Sequence, residues 1–197
     1  MSPHLQRMTI EEFREWADRQ PGDGRWELVD GYPLRMMAGA GRAHNVVKSN
    51  IIIALGPSAK KRGCDATSSD TSVRINPHQL RMPDVVIDCD PPADDAREAS
   101  APTIIAEILS PSTTAIDKTD KLDEYQSLQT TRVLMLIDPK VVAVKVYRRA
   151  SADDPWRTER YDRLEQVVPL PELDAALALR DVYDTLEPDE RPVLRPI

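Results

Sequence analysis

Aromatic residues are scarce in this 197-residue chain, at 5% with a single Phe, and so are glycine (seven), histidine (three) and cysteine (two). Each scarcity closes off a class of protein. The seven glycines form neither GxGxxG nor GxxxxGK[ST], which argues against folds that cradle a nucleotide cofactor on a glycine-rich loop. The scattered histidines (His4, His44, His78) make no HExxH, and there is no GxSxG elbow, which disfavours zinc peptidases and α/β-hydrolases. Cys64 and Cys89 lie 25 positions apart with no CxxC pair, so neither a disulfide framework nor a structural zinc site is expected. No apolar run approaches the ~20 residues needed to cross a bilayer. The N-terminal MSPHLQRMTIEEFREW lacks the basic-then-apolar pattern of a secretory signal. These absences point to a reduced, soluble protein of the cytoplasm with no membrane partner.

What is present is globular: 41% hydrophobic and 30% charged residues with a net charge of −7, at a length suited to one domain. The charge is unevenly spread. From Tyr32 to Val85 eight basic residues face three acidic ones, whereas from Ser151 onward twelve acids face six bases. The basic stretch leaves room for an anionic partner. Equally, Lys60, Lys61 and Arg62 suit the negative end of a helix that stops at Gly63.

Thr9 with Glu12 forms a capping-box signature for a short opening helix. WELVDGYPLRMM predicts a hairpin turning at Asp30-Gly31. A helix is expected from His44 to Leu55, interrupted at Gly56-Pro57. ATSSDTSVRI predicts one strand or two short ones, and DVVIDC (84–89) another. PPADDAREASAP (91–102) is a surface loop, followed by the apolar strand TIIAEIL (103–109). Thr114 and Asp117 would cap a helix running to about Leu128. VLMLID (133–138) and VVAVKVYR (141–148) are strands. A weaker strand pair near Trp156–Tyr161 and Gln166–Val168, a short helix near Ala175–Leu186 and a proline-rich tail complete the chain. The expected fold class is α+β with a mixed central β-sheet flanked by helices. The expected domain is single, with an N-terminal helix and linker (1–24), a core (25–150) and C-terminal strands, helix and tail (151–197).

Glu107 is the most informative residue. It stands alone inside TIIAEIL, and period-two alternation puts it on the face of Ile105 and Leu109. A carboxylate in such surroundings costs several kcal/mol, roughly, unless it is paired, hydrogen-bonded or metal-bound. Pairing with a nearby Lys or Arg is one reading. Asp84, after Met82-Pro83, reads alone as a solvated strand start. If the two strands are neighbours, however, Asp84 and Glu107 converge at one sheet end, and their repulsion calls for a hard divalent cation, Mg²⁺ or Mn²⁺. Lys121, on the next helix, either pairs with Asp117 at i,i+4 or points its ammonium at the same place.

WELVDGYPLRM (26–36), His44, RMPDVVI (81–87), IIAEILSPST (104–113), DKTDKLDEY (117–125) and VLMLIDP occur in that order. Together they resemble the Uma-two family, restriction-endonuclease-like proteins of the PD-(D/E)XK nuclease superfamily. The resemblance implies a restriction-endonuclease-like core and a metal-dependent phosphodiesterase acting on nucleic acid, with DNA the expected substrate. It maps the PD aspartate onto Asp84 and the (D/E) position onto Glu107. Leu109 stands where that motif has its lysine, and the role falls to Lys121. Glu27, in ELVDG, matches an additional acid, and His44 a family position suited to packing or to phosphate or substrate contact. Asp84, Glu107 and the backbone carbonyl of Ile108 are the expected Mg²⁺ (or Mn²⁺) ligands. The alternative is a nuclease-like module with little or no turnover that binds nucleic acid or protein. A homodimer through a strand edge or hairpin is a further expectation.

Overall fold

The opening helix, α1 (Ile10–Ala17), forms where its cap lies: the Thr9 side chain accepts from the Glu12 amide and Glu12 from the Thr9 amide, satisfying two donors a bare helix end would leave open. The computed structural model describes residues 7–22, 24–36, 41–68, 70–110 and 115–190, without the side chains of 115–118. The cap expected at Thr114 and Asp117, the Asp117–Lys121 pair, His4 and the tail from 191 fall outside what is described.

Strand β1 (Trp26–Val29) turns into β2 (Tyr32–Arg35) at Asp30 and Gly31, both with positive φ (50° and 81°), the signature of a tight right-twisted hairpin. Gly31 is required for space as well, because a Cβ there would meet Arg7 Cγ at 2.1 Å. Helix α2 (Arg42–Lys61) buries Val47, Ile51, Leu55 and Ala59 at i,i+4 intervals. The interruption expected at Gly56-Pro57 does not occur. Pro57 leaves the Ile53 carbonyl without a helical donor, but Ile53 is 72% exposed, so water serves that carbonyl at small cost. Lys60 and Lys61 occupy the last turn and Gly63 follows with φ 71°, the helix-ending arrangement that the charge run allowed.

ATSSDTSVRI divides into β3 (Asp65–Ser68) and β4 (Val73–Asn76), which join different sheets. Next come β5 (Gln79–Arg81), β6 (Val85–Asp88), β7 (Pro102–Ile108), α3 (Ala115–Ser127), β8 (Val133–Asp138), β9 (Ala143–Arg148) and β10 (Arg157–Tyr161). Then β11 (Val167–Leu170) leads to β12 (Ala175–Ala178) and the short α4 (Leu179–Val182). The weak strand pair expected between the 156–161 and 166–168 segments is corrected: β10 pairs with β9, and β11 with β12. The helix expected from Ala175 starts only at Leu179, because the four residues before it complete that second pairing.

Among the described residues the main sheet is six-stranded, in the order β10-β9-β8-β7-β6-β3, with one parallel pair, β7–β8, and the rest antiparallel. Helix α3 is the crossover that the parallel pair requires. Both faces of β7 are covered, which is why its sequence is nearly continuous in apolar residues. Ile104, Ala106 and Ile108 pack with α2, while Ile105 packs with Val86, Leu134 and Tyr125 of α3. A smaller sheet, β2-β1-β5-β4, holds α1 through Ile10, Phe13, Leu28 and Leu80.

The two cysteines are bonded to each other, which corrects the expectation of free thiols. The cause lies in the register: Asp65 pairs with Asp88, so Cys64 and Cys89 are the next cross-strand pair. Their separation of 25 residues implies that reduction, or Cys64→Ser, lowers unfolding free energy by about 3.5 kcal/mol in the loop-entropy picture. Urea unfolding with and without dithiothreitol measures this, and coincident curves would mean that the bridge contributes nothing.

Candidate active site

The smaller sheet hands the chain to the larger one through Met82-Pro83-Asp84, and the charged residues gather at that handover. Val85 faces Ala106 across β6 and β7, and one step outward Asp84 comes near enough to Glu107 for the two charges to act on each other. The Ile108 amide donates to Asp84 Oδ2 at 2.9 Å. His44, in the first turn of α2, places Nε2 3.2 Å from the same oxygen, and its buried Nδ1 has no hydrogen-bond partner among the described residues.

From the other sheet β1 contributes Glu27, only 2% exposed. Its Oε1 accepts from the Met82 amide (3.1 Å) and from Lys121 Nζ (3.0 Å), and its Oε2 from Arg81 Nη1 (3.0 Å). Lys121 Nζ also stands 3.7 Å from Glu107 Oε1. Tyr125, one helical turn further along α3, donates its hydroxyl to that oxygen at 2.8 Å. The spacing of Lys121 and Tyr125, i and i+4, puts both on one helix face toward Glu107.

The electrostatics follow from this crowding. Burial pushes the Glu107 carboxyl up to about 7. The Lys121 ammonium works against that shift, and the charges of Asp84 and Glu27 add to it. Burial, and then the Glu107 charge, also raise Tyr125 well above the ordinary tyrosine value, so it is a neutral donor at physiological pH. Arg81 is 2% exposed. Burial opposes its charge, but the Glu124 and Glu27 carboxylates overcome this and hold its pKa above the usual arginine range.

All the side chains singled out in the sequence thus meet in one place: Asp84, Glu107, Lys121, Glu27 and His44. Ile108 joins them through its backbone, its side chain lying in the core. Two residues that sequence reasoning passed over complete the arrangement. Arg81, counted there as part of a basic tract, is buried and forked: Nε and Nη2 bond Glu124 at 2.6 and 2.8 Å, while Nη1 bonds Glu27. Glu124 lies three residues after Lys121 on α3 and also accepts from Gln79 at 2.7 Å. No local signal marks them, since Arg81 follows the polar Asn76-Pro77-His78-Gln79 and its acid lies 43 residues further on.

The comparisons with known proteins give the family and the fold. The family model of Uma2, described as "Putative restriction endonuclease", matches residues 10–180. The chain belongs to the Uma2 family. A relative from Synechocystis sp., the uncharacterized protein slr1290, is 27% identical over 164 residues, covering 81% of this chain and 84% of that protein. The crystal structure of a putative nuclease belonging to DUF820 from Anabaena variabilis superposes with a TM-score of 0.68 at 22% identity, over 89% of this chain and 97% of that one. That likeness establishes that the Uma2 chain shares its mixed α+β fold. No helix among the described residues is long and apolar enough to cross a membrane.

Do these residues suit a divalent ion? Among the described residues no three Asp, Glu, His or Cys side chains stand ready as a cage for a metal. Mg²⁺ does not need one, because it keeps several waters and takes one or two carboxylates. Two neighbouring acids, one raised to about 7 in part by the charge of the other, are an oxygen donor set of that kind.

Proposed function

We propose that this Uma2 protein is a Mg²⁺- or Mn²⁺-dependent endonuclease that hydrolyses phosphodiester bonds of nucleic acid, with DNA as substrate. The observation carrying the reading is the neighbouring pair Asp84 and Glu107 with the Lys121 ammonium 3.7 Å from the latter. Membership of a family described as "Putative restriction endonuclease" supports it.

On this reading Asp84, Glu107 and the Ile108 carbonyl hold the ion, and Glu27 assists through water. The bound ion supplies Lewis-acid polarisation of a phosphodiester oxygen and eases ionisation of water near neutral pH. Lys121, held by Glu27, presents positive charge toward the charge that develops on the phosphorus oxygens. Tyr125 fixes the orientation of Glu107 by donating to it. His44, set against Asp84, meets the incoming phosphate.

Nicking of supercoiled plasmid with Mg²⁺ or Mn²⁺ is the test. Asp84→Ala, Glu107→Ala and Lys121→Ala are each expected to lower the rate by about 10²-fold or more, with circular dichroism unchanged. Undiminished nicking by the two acid variants would refute the assignment. A metal-binding protein that nicks nothing would instead be the nuclease-like module without turnover.

A further inference from the structure

The tract from Tyr32 to Val85 is the most basic part of the sequence, yet much of its charge is already committed. Arg81 lies between Glu27 and Glu124, Arg74 pairs with Glu11 and Glu98, and Arg62 with Asp174. Uncommitted charge beside the acids comes from the acidic C-terminal half instead. Glu107 is paired in register with Leu136 on β8, Leu136 with Lys145 on β9, and Lys145 with Arg160 on β10. Directly opposed residues share a face of the sheet, so the four side chains form a row across the strands on the face that Tyr125 of α3 packs against.

Neither cation in that row has a carboxylate partner among the described residues. Glu159, the nearest acid on β10, alternates to the opposite face, where it accepts from Arg148 and Tyr161. Lys145 Nζ rests 4.6 Å from the centroid of the Tyr147 ring, and Arg160 is exposed. At about 4.8 Å per strand, the two lie roughly 10 and 14 Å from Glu107. The latter distance matches the axial rise of about four nucleotides in a duplex strand. The cavity between Glu107, Lys121, Leu122 and Leu136 measures ≈ 50 Å³, room for water but not for a nucleobase, so a polymer must pass over this face.

We propose that Lys145 and Arg160 form a phosphate track that holds the nucleic-acid backbone on one side of the bond cleaved at Asp84 and Glu107. The proposal rests on the nuclease reading for its direction, but its chemistry is separate. The track touches phosphates and not the reacting atoms, so it positions the polymer and reads no sequence.

The test uses fluorescein-labelled single-stranded and duplex oligonucleotides, with anisotropy recorded in Ca²⁺ from 50 to 200 mM NaCl. Two variants are compared with the wild type: Arg160→Ala, which removes an exposed side chain, and the Lys145→Ala/Arg160→Ala double. The double variant should bind about tenfold or more weakly at low salt. Its log–log salt slope should fall by about 1.8 on duplex and 1.4 on single strands, with half of each for Arg160→Ala. Hydrolysis of bis(p-nitrophenyl) phosphate, which has no flanking phosphates, should be unchanged. If the wild type nicks plasmid but both variants bind with its affinity and slope, the track is wrong and the nuclease reading survives. If the variants lose binding while the wild type cleaves neither substrate, the track stands and the catalytic reading falls. A wild type that neither binds nor cleaves overturns both.

Discussion

Replacing Arg81 by methionine is expected to lower the free energy of unfolding by about 3–5 kcal/mol, the usual result of removing one partner from a buried ion cluster. The guanidinium donates to Glu27 and twice to Glu124 while almost wholly out of water. Without it Glu27 keeps only the Lys121 ammonium and the Met82 amide, and Glu124 keeps Gln79. Two carboxylates would then carry charge in a place that water reaches poorly. Arg81→Lys should recover little of the loss, because an ammonium cannot reproduce the planar fork on Glu124. Arg81→Met combined with Glu124→Met should recover a good part of it, since the orphaned charge goes too. Urea unfolding at pH 7.5 measures the series, and a chain of this length should lose about 10 °C or more in Tm. A single variant within about 1 kcal/mol of wild type would mean that Arg81 does not anchor α3. The structural consequence matters as much as the number, because the Arg81–Glu124 fork ties β5 to the helix that carries Lys121 and Tyr125.

How far the sequence alone reaches is best judged from individual residues. Strands β7 and β8 were legible because burial on both faces writes a nearly continuous apolar run. The hairpin was legible because Asp-Gly tolerates positive φ. Helix α2 announced itself through the i,i+4 repeat, yet its length did not, since the cost of Pro57 depends on whether water reaches the carbonyl behind it. Strand β5 was missed: three residues are too few for a period. The Ala175–Ala178 strand read as helix because alanine favours helices until a partner such as β11 overrides it. The disulfide was invisible for a related reason, being a consequence of the β3–β6 register and not of cysteine spacing. At the site, Glu107 stood out because an acid in apolar surroundings demands an explanation, and Asp84 only through the expectation that its strand lies beside that of Glu107. Arg81 and Glu124 did not, because a pair 43 residues apart is visible only once the sheets have assembled.

Glu107→Gln should stabilise the divalent-free protein at pH 8 by up to about 3 kcal/mol and have almost no effect at pH 4.5. The native carboxyl titrates near 7 against 4.5 for an unperturbed glutamate. Below about 4.5 both folded and unfolded chains hold the proton, and the group contributes nothing. Between 4.5 and 7 the unfolded chain has released its proton and the native one has not, so stability falls as pH rises, by about 1.4 kcal/mol per unit. Above 7 both are ionised, and the full cost of a buried, crowded carboxylate remains. Glutamine imitates the protonated form, and its carbonyl still accepts from the Tyr125 hydroxyl, so the variant should lose this slope and little else. Urea unfolding at pH 5 and pH 8 in EDTA reads the difference directly; parallel behaviour of wild type and variant would show that Glu107 is not under this strain. Adding Mg²⁺ at pH 8 should then reverse the ranking, stabilising the wild type and leaving the glutamine variant where it was. A carboxylate that weakens the empty fold and strengthens the loaded one is what separates a ligand from a misplaced acid.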